Sequence, residues 1–253
     1  MSVFAVSDLH GQFDAFAEGI RKIDLQESDT LYVIGDAVDR GPDGIRILEY
    51  IKDHPNMDLL IGNHELMMLN SVDPDGAEKC NGEDAELWLY YNGGIATCEQ
   101  YRKLPLKRRQ SLLSWMRKRP VIKTLEVQGQ SFCLTHSYYM EGFENKTYDE
   151  LSYDEVSDLV WRSVYRRDPD THGDDIYGNY DYTFITGHVP VLLVMREYKR
   201  YHDFNELRVF EKGNFIDIDG GCAVGYREGI HNGALFLRLD DRKVFPVPLR
   251  SPE

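Results

Sequence analysis

Leu31-Tyr32-Val33-Ile34-Gly35-Asp36-Ala37-Val38-Asp39-Arg40-Gly41 is the stretch that decides the fold. A short apolar run breaks off at a glycine and an acid, as a buried strand does where it emerges at the edge of a parallel sheet. The same punctuation recurs upstream, where Val3 to Val6 ends at Ser7-Asp8, and downstream, where Leu59 to Ile61 ends at Gly62-Asn63. Between these runs the apolar residues have helical spacing: Phe13, Phe16, Ile20 and Ile23, then Ile45, Leu48 and Ile51. The order is β-α-β-α-β, with strand ends separated by about the 30 residues of a βαβ unit. Crossovers through helices make such strands parallel, so Asp8, Asp36 and Asn63 are expected on one edge, where α/β sheets place their ligands.

The chain has 253 residues, 42% hydrophobic and 28% charged, ordinary proportions for an α/β protein with one core. A single domain over 1–253 is expected, since no repeat, low-complexity tract or linker divides it. No apolar run approaches the roughly 18 residues of a membrane span, so no membrane partner is expected. Against 29 Lys+Arg stand 43 Asp+Glu, a formal charge of −14 that opposes non-specific attraction to nucleic acid or anionic lipid. The opening residues carry neither a basic stretch nor a long apolar one, which argues against a secretory signal. Cys80, Cys98, Cys133 and Cys222 lie far apart without a Cys-x-x-Cys pair. Zinc-ribbon chemistry is therefore not expected; four unpatterned thiols suit the reducing cytoplasm, the expected location, and the sequence leaves a disulfide open.

Residues at about 71–119 are expected to form a helical insertion. They begin polar and turn-prone, then turn amphipathic over Glu83 to Tyr91, Ile95 to Lys103 and Lys107 to Arg117, with breaks at Gly93-Gly94 and Pro105. After Pro120, Val121 to Val127 and Ser131 to Thr135 flank a glycine-bearing turn and predict a hairpin whose second strand stops at His136. Residues 141–181, rich in Asp, Tyr and Asn, hold one helical stretch around Val156 to Val164 and are expected to form a lid or a substrate-facing segment. Further strands are expected at Tyr182 to Thr186, just before Gly187-His188, and at Val191 to Arg196, Leu207 to Phe210, Phe215 to Ile218 and Ala234 to Leu239.

Asp8-Leu9-His10-Gly11 sets a carboxylate and an imidazole two residues apart, on the same side of an extended strand end, as a metal-ligand pair requires. Gly35 to Gly41 offers two acids around a turn, with glycines that let backbone approach a ligand. Gly62-Asn63-His64-Glu65 follows the third strand, and His136 and His188 each close a later one. Singly, each has an ordinary surface explanation. Yet a word such as Gly-Asn-His-Glu arises by chance in a chain this long on the order of once in a thousand sequences, and its place behind the other two makes coincidence negligible. His54, His172, His202 and His231 have no such surroundings and are expected at the surface.

These words resemble those of the calcineurin-like metallophosphoesterases, and among them the phosphoprotein phosphatase type: Gly-Asp-x-His-Gly, Gly-Asp-x-Val-Asp-Arg-Gly, Gly-Asn-His-Glu and two later histidines. They span residues 7–188 here in the family's order. The resemblance implies an α/β fold of the four-layer αββα sandwich type, with two central mixed β-sheets between helices. It implies two divalent metal ions, one held by Asp8, His10 and Asp36, the other by Asp36, Asn63, His136 and His188, with Asp36 bridging. Oxygen and imidazole ligands without thiolate suit Mn²⁺, with Fe or Zn²⁺ as alternatives, and two ions about 3.5–4 Å apart need a shared carboxylate. Such a pair supplies hydroxide near neutral pH for in-line attack at phosphorus, so no protein nucleophile is needed. His64, beside Asn63 but not a ligand by resemblance, is the expected general acid for the leaving oxygen, with Asp39 orienting it through the other ring nitrogen. Arg40 is the expected phosphate clamp. A second is expected at Arg162, after Trp161, with Arg166 and Arg167 one turn later as competitors.

Ser7 stands where the first word has glycine, Ser137 follows His136 where relatives often carry glycine, and Val189 replaces a common threonine. None of these departures removes a ligand. They bring the chain nearer to bacterial phosphatases and symmetrical diadenosine tetraphosphate hydrolases than to the eukaryotic catalytic subunits. The expected protein is a metal-dependent hydrolase acting on a phosphorylated protein or another phosphoester, not on nucleic acid. A serine/threonine phosphoprotein phosphatase is the first expectation and a dinucleoside polyphosphate hydrolase the alternative. Gly220-Gly221-Cys222, with Tyr226 and Asn232 beyond it, resembles the loop that borders the site in relatives.

Overall fold

The three N-terminal apolar runs form parallel strands, β1 (Val3–Val6), β2 (Thr30–Ile34) and β3 (Met57–Leu60), with Val6 opposite Val33 and Ile34 opposite Leu60. In-register strands of nearly equal length end together, and that is what brings Asp8, Asp36 and Asn63 to one edge. The computed structural model describes residues 1–163, 180–197 and 206–251. Helices α1 (Phe13–Lys22) and α2 (Gly44–Asp53) make the crossovers and bury the periodic faces that contain Phe13 and Phe16, and Ile45, Leu48 and Ile51. Asn63 then opens α3 (Asn63–Ser71), buried along nearly its whole length.

Strand β9 (Gly233–Arg238) pairs antiparallel with β1, and β10 (Val244–Pro248) pairs antiparallel with β9, completing a sheet of order β10-β9-β1-β2-β3. Gly19 lets α1 approach this sheet: a Cβ there would stand 1.9 Å from the ring of buried Phe236. The second sheet contains β4 (Ile122–Val127), β5 (Gln130–Thr135), β6 (Thr183–Thr186), β7 (Phe210–Lys212) and β8 (Phe215–Asp217) in the order β4-β5-β6-β8-β7. Its β5-β6-β8 core is parallel and its two outer pairings are antiparallel. Two mixed five-stranded sheets flanked by helices make the expected αββα metallophosphoesterase sandwich. No helix among the described residues is long and apolar enough to cross a membrane.

Between β3 and β4, α4 (Ile95–Lys103) and α5 (Leu106–Arg117) follow the expected spans closely. The helix expected over Glu83 to Tyr91 is instead a single π-helical turn, Leu87–Tyr91. Of the four cysteines, Cys80 and Cys98 form a disulfide, the alternative that the sequence leaves open, while Cys133 and Cys222 are free and buried. Helix α6 (Tyr153–Trp161) begins earlier than expected because Ser152 and Glu155 form a capping box, with Glu155 accepting from the Ser152 N–H at 2.8 Å.

The strand expected at Val191 to Arg196 is helix α7 (Val191–Glu197). Pro190 sets the first turn, its carbonyl accepting from Leu193 and Val194 N–H, and Val191 and Val194 are buried while Leu192 and Leu193 are exposed. That is a helical stripe, not alternation, and proline preorganises the opening turn. Of the strand expected at Leu207 to Phe210, only Phe210 belongs to β7. Edge strand β10, which carries Pro246 and Pro248, was not anticipated, since proline argues against a strand except at an edge.

Candidate active site

Six residues with chemically active side chains, Asp8, His10, Asp36, Asp39, Arg40 and His188, have φ between 43° and 71°. Left-handed backbone at non-glycine residues is costly and persists where the surroundings over-determine it, commonly at functional sites. Each of the six lies just past a strand end. Asp8 and His10 follow β1, Asp36, Asp39 and Arg40 follow β2, and His188 follows β6. His136 follows β5 and Asn63 opens α3 after β3, so ends of both sheets converge.

The ring nitrogens reveal what this cluster is built for. His10 Nδ1 lies 3.2 Å from the Val38 carbonyl and His136 Nδ1 lies 3.1 Å from the Ile34 carbonyl. A carbonyl only accepts, so each ring carries its proton on Nδ1 and turns a bare Nε2 inward, the orientation of an imidazole metal ligand. His136 Nε2 meets Asn63 Oδ1 at 2.9 Å and Asp36 Oδ1 at 3.4 Å, while His188 Nδ1 lies 3.0 Å from the same Asn63 oxygen. His10 Nε2 faces Asp36 Oδ2 at 3.6 Å and Asp8 Oδ1 at 4.0 Å. Lone pairs thus point at lone pairs, an arrangement that a cation relieves.

Burial tells the same story. It pushes the Asp8 and Asp36 carboxyls well above their ordinary range, helped by Asp219 beside Asp8 and by Glu65 beside Asp36. It pushes His10 and His136 well below theirs, with His64 acting further on His10 and His188 on His136. Burial drives each group toward neutrality, and among the described residues no lysine or arginine forms an ion pair with Asp8 or Asp36 to offset it there. Divalent cations reverse both tendencies, since they take deprotonated carboxylates and neutral imidazoles. Two compact groups could hold them, His10-Asp36-His64 and Asp36-His136-His188, and they share Asp36. The first contains His64 where the resemblance has Asp8; Asp8 stands next to it and accepts from the His188 N–H at 3.0 and 3.1 Å. Gly187 is required there, because a Cβ would sit 2.1 Å from Asp8 Oδ2.

His64 Nδ1 donates to Asp39 Oδ2 at 2.6 Å, leaving its Nε2 3.8 Å from Asp36 Oδ2. Burial, then Arg40, lowers the His64 imidazole to about 3, and burial raises Asp39 to about 7 against the hydrogen bonds it receives. Arg40 is exposed at the rim, with its Nη2 3.4 Å from Asn92 Oδ1. Arg162 is placed differently from a waiting clamp. Its Nε pairs with Asp158 at 3.1 Å, its guanidinium lies 5.5 Å from the Tyr138 ring, and its side chain is 49% exposed. Its carbonyl accepts from Ser137 Oγ, and the neighbouring Trp161 ring meets His188 edge-on at 6.2 Å. Arg166 and Arg167 lie outside the described residues, as do His172 and His202. Among the other unassigned histidines His231 is exposed, whereas His54 is half-buried and stacks on Tyr50.

Four participants had no role in the sequence expectation. Glu65 is fully buried and accepts from Asp36, Ala37 and Gly62 N–H at 2.7, 2.8 and 3.0 Å, joining the turn that carries Asp36 to the one that leads into Asn63. Its signal was the last letter of Gly-Asn-His-Glu. Asp219, after β8, is buried near Asp8 and accepts from the Gly221 N–H at 2.8 Å, which places the Gly220-Gly221 loop at the site. Trp88 and Thr97 reach Asp39 from the region between α3 and α5, and no local pattern marked them.

A buried, oxygen- and imidazole-lined centre at the converging strand ends of an αββα sandwich defines a metallophosphoesterase. Residues 1–218 match the calcineurin-like phosphoesterase family, and the chain belongs to it. It is 25% identical over 189 residues to the symmetrical bis(5'-nucleosyl)-tetraphosphatase of Delftia acidovorans, a match covering 70% of this chain and 61% of that one. The chain therefore spans less than two thirds of that relative's length. Among solved structures, one described as a putative diadenosine tetraphosphatase shares the fold with a TM-score of 0.59 at 17% identity, over 99% of this chain and 94% of that one. A serine/threonine protein phosphatase from Saccharomyces cerevisiae shares it with a TM-score of 0.57 at 14% identity, over 100% and 81%.

Proposed function

We propose that this chain is a metal-dependent hydrolase that cleaves dinucleoside tetraphosphates symmetrically. The observation that carries hydrolysis is the pair of buried ligand groups sharing Asp36. The substrate class is supported by the relatives, several of them named as symmetrical tetraphosphatases, and by exposed Tyr90 and Tyr91 beside Asn92, the Arg40 partner, where aromatic faces suit a nucleobase.

Asp8, His10, Asp36, Asn63, His136 and His188 would hold two divalent ions, Mn²⁺ by ligand chemistry with Fe or Zn²⁺ as alternatives. When bound, such ions acidify a water and draw charge from the phosphoryl oxygens. The remaining work belongs to side chains. Arg40 at the rim would grip the polyphosphate through its planar guanidinium, and Arg162 could join it only by leaving Asp158. His64, neutral with its proton on Nδ1, would accept at Nε2 the proton that the attacking water gives up and pass it to the leaving oxygen, while Asp39, accepting the Nδ1–H, keeps Nε2 aimed inward. Its contribution grows with the basicity of the leaving oxygen, so it matters more for an alkyl phosphate than for a nucleoside diphosphate.

A second reading, a serine/threonine phosphoprotein phosphatase, is favoured by the full match of Gly35 to Gly41 and of Gly62 to Glu65 to that type's words. Purified protein supplied with Mn²⁺ should convert diadenosine tetraphosphate to ADP faster, by kcat/KM, than it dephosphorylates a phosphoserine peptide. Turnover of the peptide alone would replace the first reading with the second.

A further inference from the structure

We propose that Trp88 is a positioning residue for the Asp39–His64 pair, set in place by the π-helical turn that carries it. The proposal rests on His64 being the proton donor of the hydrolysis proposed above. Asp39 Oδ2 receives two donors, His64 Nδ1–H at 2.6 Å and the Trp88 indole N–H at 2.8 Å, while Oδ1 has no hydrogen-bond partner among the described residues. A carboxylate bonded through one oxygen alone can swivel about it. A second donor from a different direction fixes its plane, and with it the tilt of the imidazole.

Trp88 is itself immobilised. It is fully buried, its N–H donates to the Asp84 carbonyl at 2.7 Å and its carbonyl accepts from Gly94 N–H at 2.9 Å. Gly94 backs the ring so closely that a Cβ there would lie 2.5 Å from the indole nitrogen. Trp88 lies in the π-helical turn Leu87–Tyr91, the kind of local irregularity found at functional sites. The same segment holds the backbone under Asp39. Thr97 Oγ1 accepts from the Asp39 N–H at 2.9 Å and the Gly93 carbonyl accepts from the Arg40 N–H at 3.1 Å, at two residues whose φ values are 71° and 65°. Three bonds from residues 88–97 therefore govern one strained turn. Of the three bonds, the one from Trp88 is made to Asp39 Oδ2, the oxygen that His64 uses.

The test compares Trp88→Phe with the unmodified chain, both supplied with Mn²⁺, on phenyl phosphate and on p-nitrophenyl phosphate. A positioning role predicts a kcat loss of about tenfold on phenyl phosphate, the size of one buried hydrogen bond. On p-nitrophenyl phosphate, whose leaving oxygen needs little protonation, kcat should change far less, with KM and bound Mn²⁺ unaltered in both. An equal loss on the two substrates, or none, overturns the proposal. A second arm needs no activity: in the metal-free protein the downfield proton resonance of His64 Nδ1–H should shift or broaden in Trp88→Phe. An unchanged resonance also overturns it. If the unmodified chain turns over neither phosphate, the resonance alone decides positioning, and the hydrolase reading is decided separately by turnover of diadenosine tetraphosphate. Should Trp88→Phe not fold, Trp88→β-(3-benzothienyl)alanine, which keeps the size of the ring and removes its N–H, carries both arms.

Discussion

At the scale of single residues, Glu65 shows how a site can depend on a group that does no chemistry. Its two oxygens accept three backbone N–H groups from the turns after β2 and β3, and burial nonetheless raises its carboxyl to about 7. In Glu65→Gln one oxygen becomes an amide NH₂, which can only oppose the Ala37 N–H. Leaving one buried donor unpaired costs about 1–3 kcal/mol. The variant should therefore unfold at lower denaturant, by that amount in free energy, and should bind Mn²⁺ more weakly because Asp36 and Asn63 no longer share a strut. Unchanged stability together with unchanged Mn²⁺ affinity would refute this. The same residue marks the limit of what was legible. Asp8, His10, Asp36, Asn63, His136 and His188 could be read because each sits where an apolar run stops. Trp88 and Thr97 act on Asp39 from 49 and 58 positions away, and no local periodicity reports a contact of that kind.

Elements were legible where burial is one-sided and illegible where an end effect decides. Helices α1, α2 and α4 announce themselves through spacing, and β1, β2 and β3 through apolar runs that stop at polar residues. The run Val191-Leu192-Leu193-Val194 is apolar throughout and fits helix or strand equally; Pro190 and the Val191 N–H bond to the Asp219 carbonyl settle it as helix. The segment between α3 and α4 is held by the disulfide from Cys80 to Cys98, which closes an 18-residue separation around Trp88. A loop of that size stabilises by about 3 kcal/mol through the unfolded chain. Reduction of the native protein with a phosphine should accordingly lower the unfolding free energy by roughly 2–4 kcal/mol. Because the tether lies next to Trp88 and Thr97, hydrogen exchange should rise first in Leu87–Tyr91 and α4. Exchange that rises equally over the first sheet would show that the bond does not act locally.

For the whole molecule, the formal charge of −14 is less telling than where a few of those acids lie. Asp8, Asp36, Asp39, Glu65 and Asp219 are buried together and all are raised by burial, the last three to about 7. In the unfolded chain they titrate near about 4, so above that pH the metal-free folded form holds protons that the unfolded form has lost, and stability falls as pH rises. His10, His64 and His136 oppose this, because their lowered values make the unfolded chain the better proton binder, but only up to its ordinary imidazole value of about 6.5. The two effects partly cancel between roughly pH 4 and 6.5, and beyond that the carboxylates act alone. Chelator-treated protein should therefore lose melting temperature from about pH 6.5 to 8. Mn²⁺, which binds deprotonated ligands of the folded state, should raise it by more at the alkaline end than at the acid end. A chelated protein whose melting temperature climbs across that interval, or a Mn²⁺ increment that shrinks with pH, would mean that these acids do not form the ion-binding core of the fold.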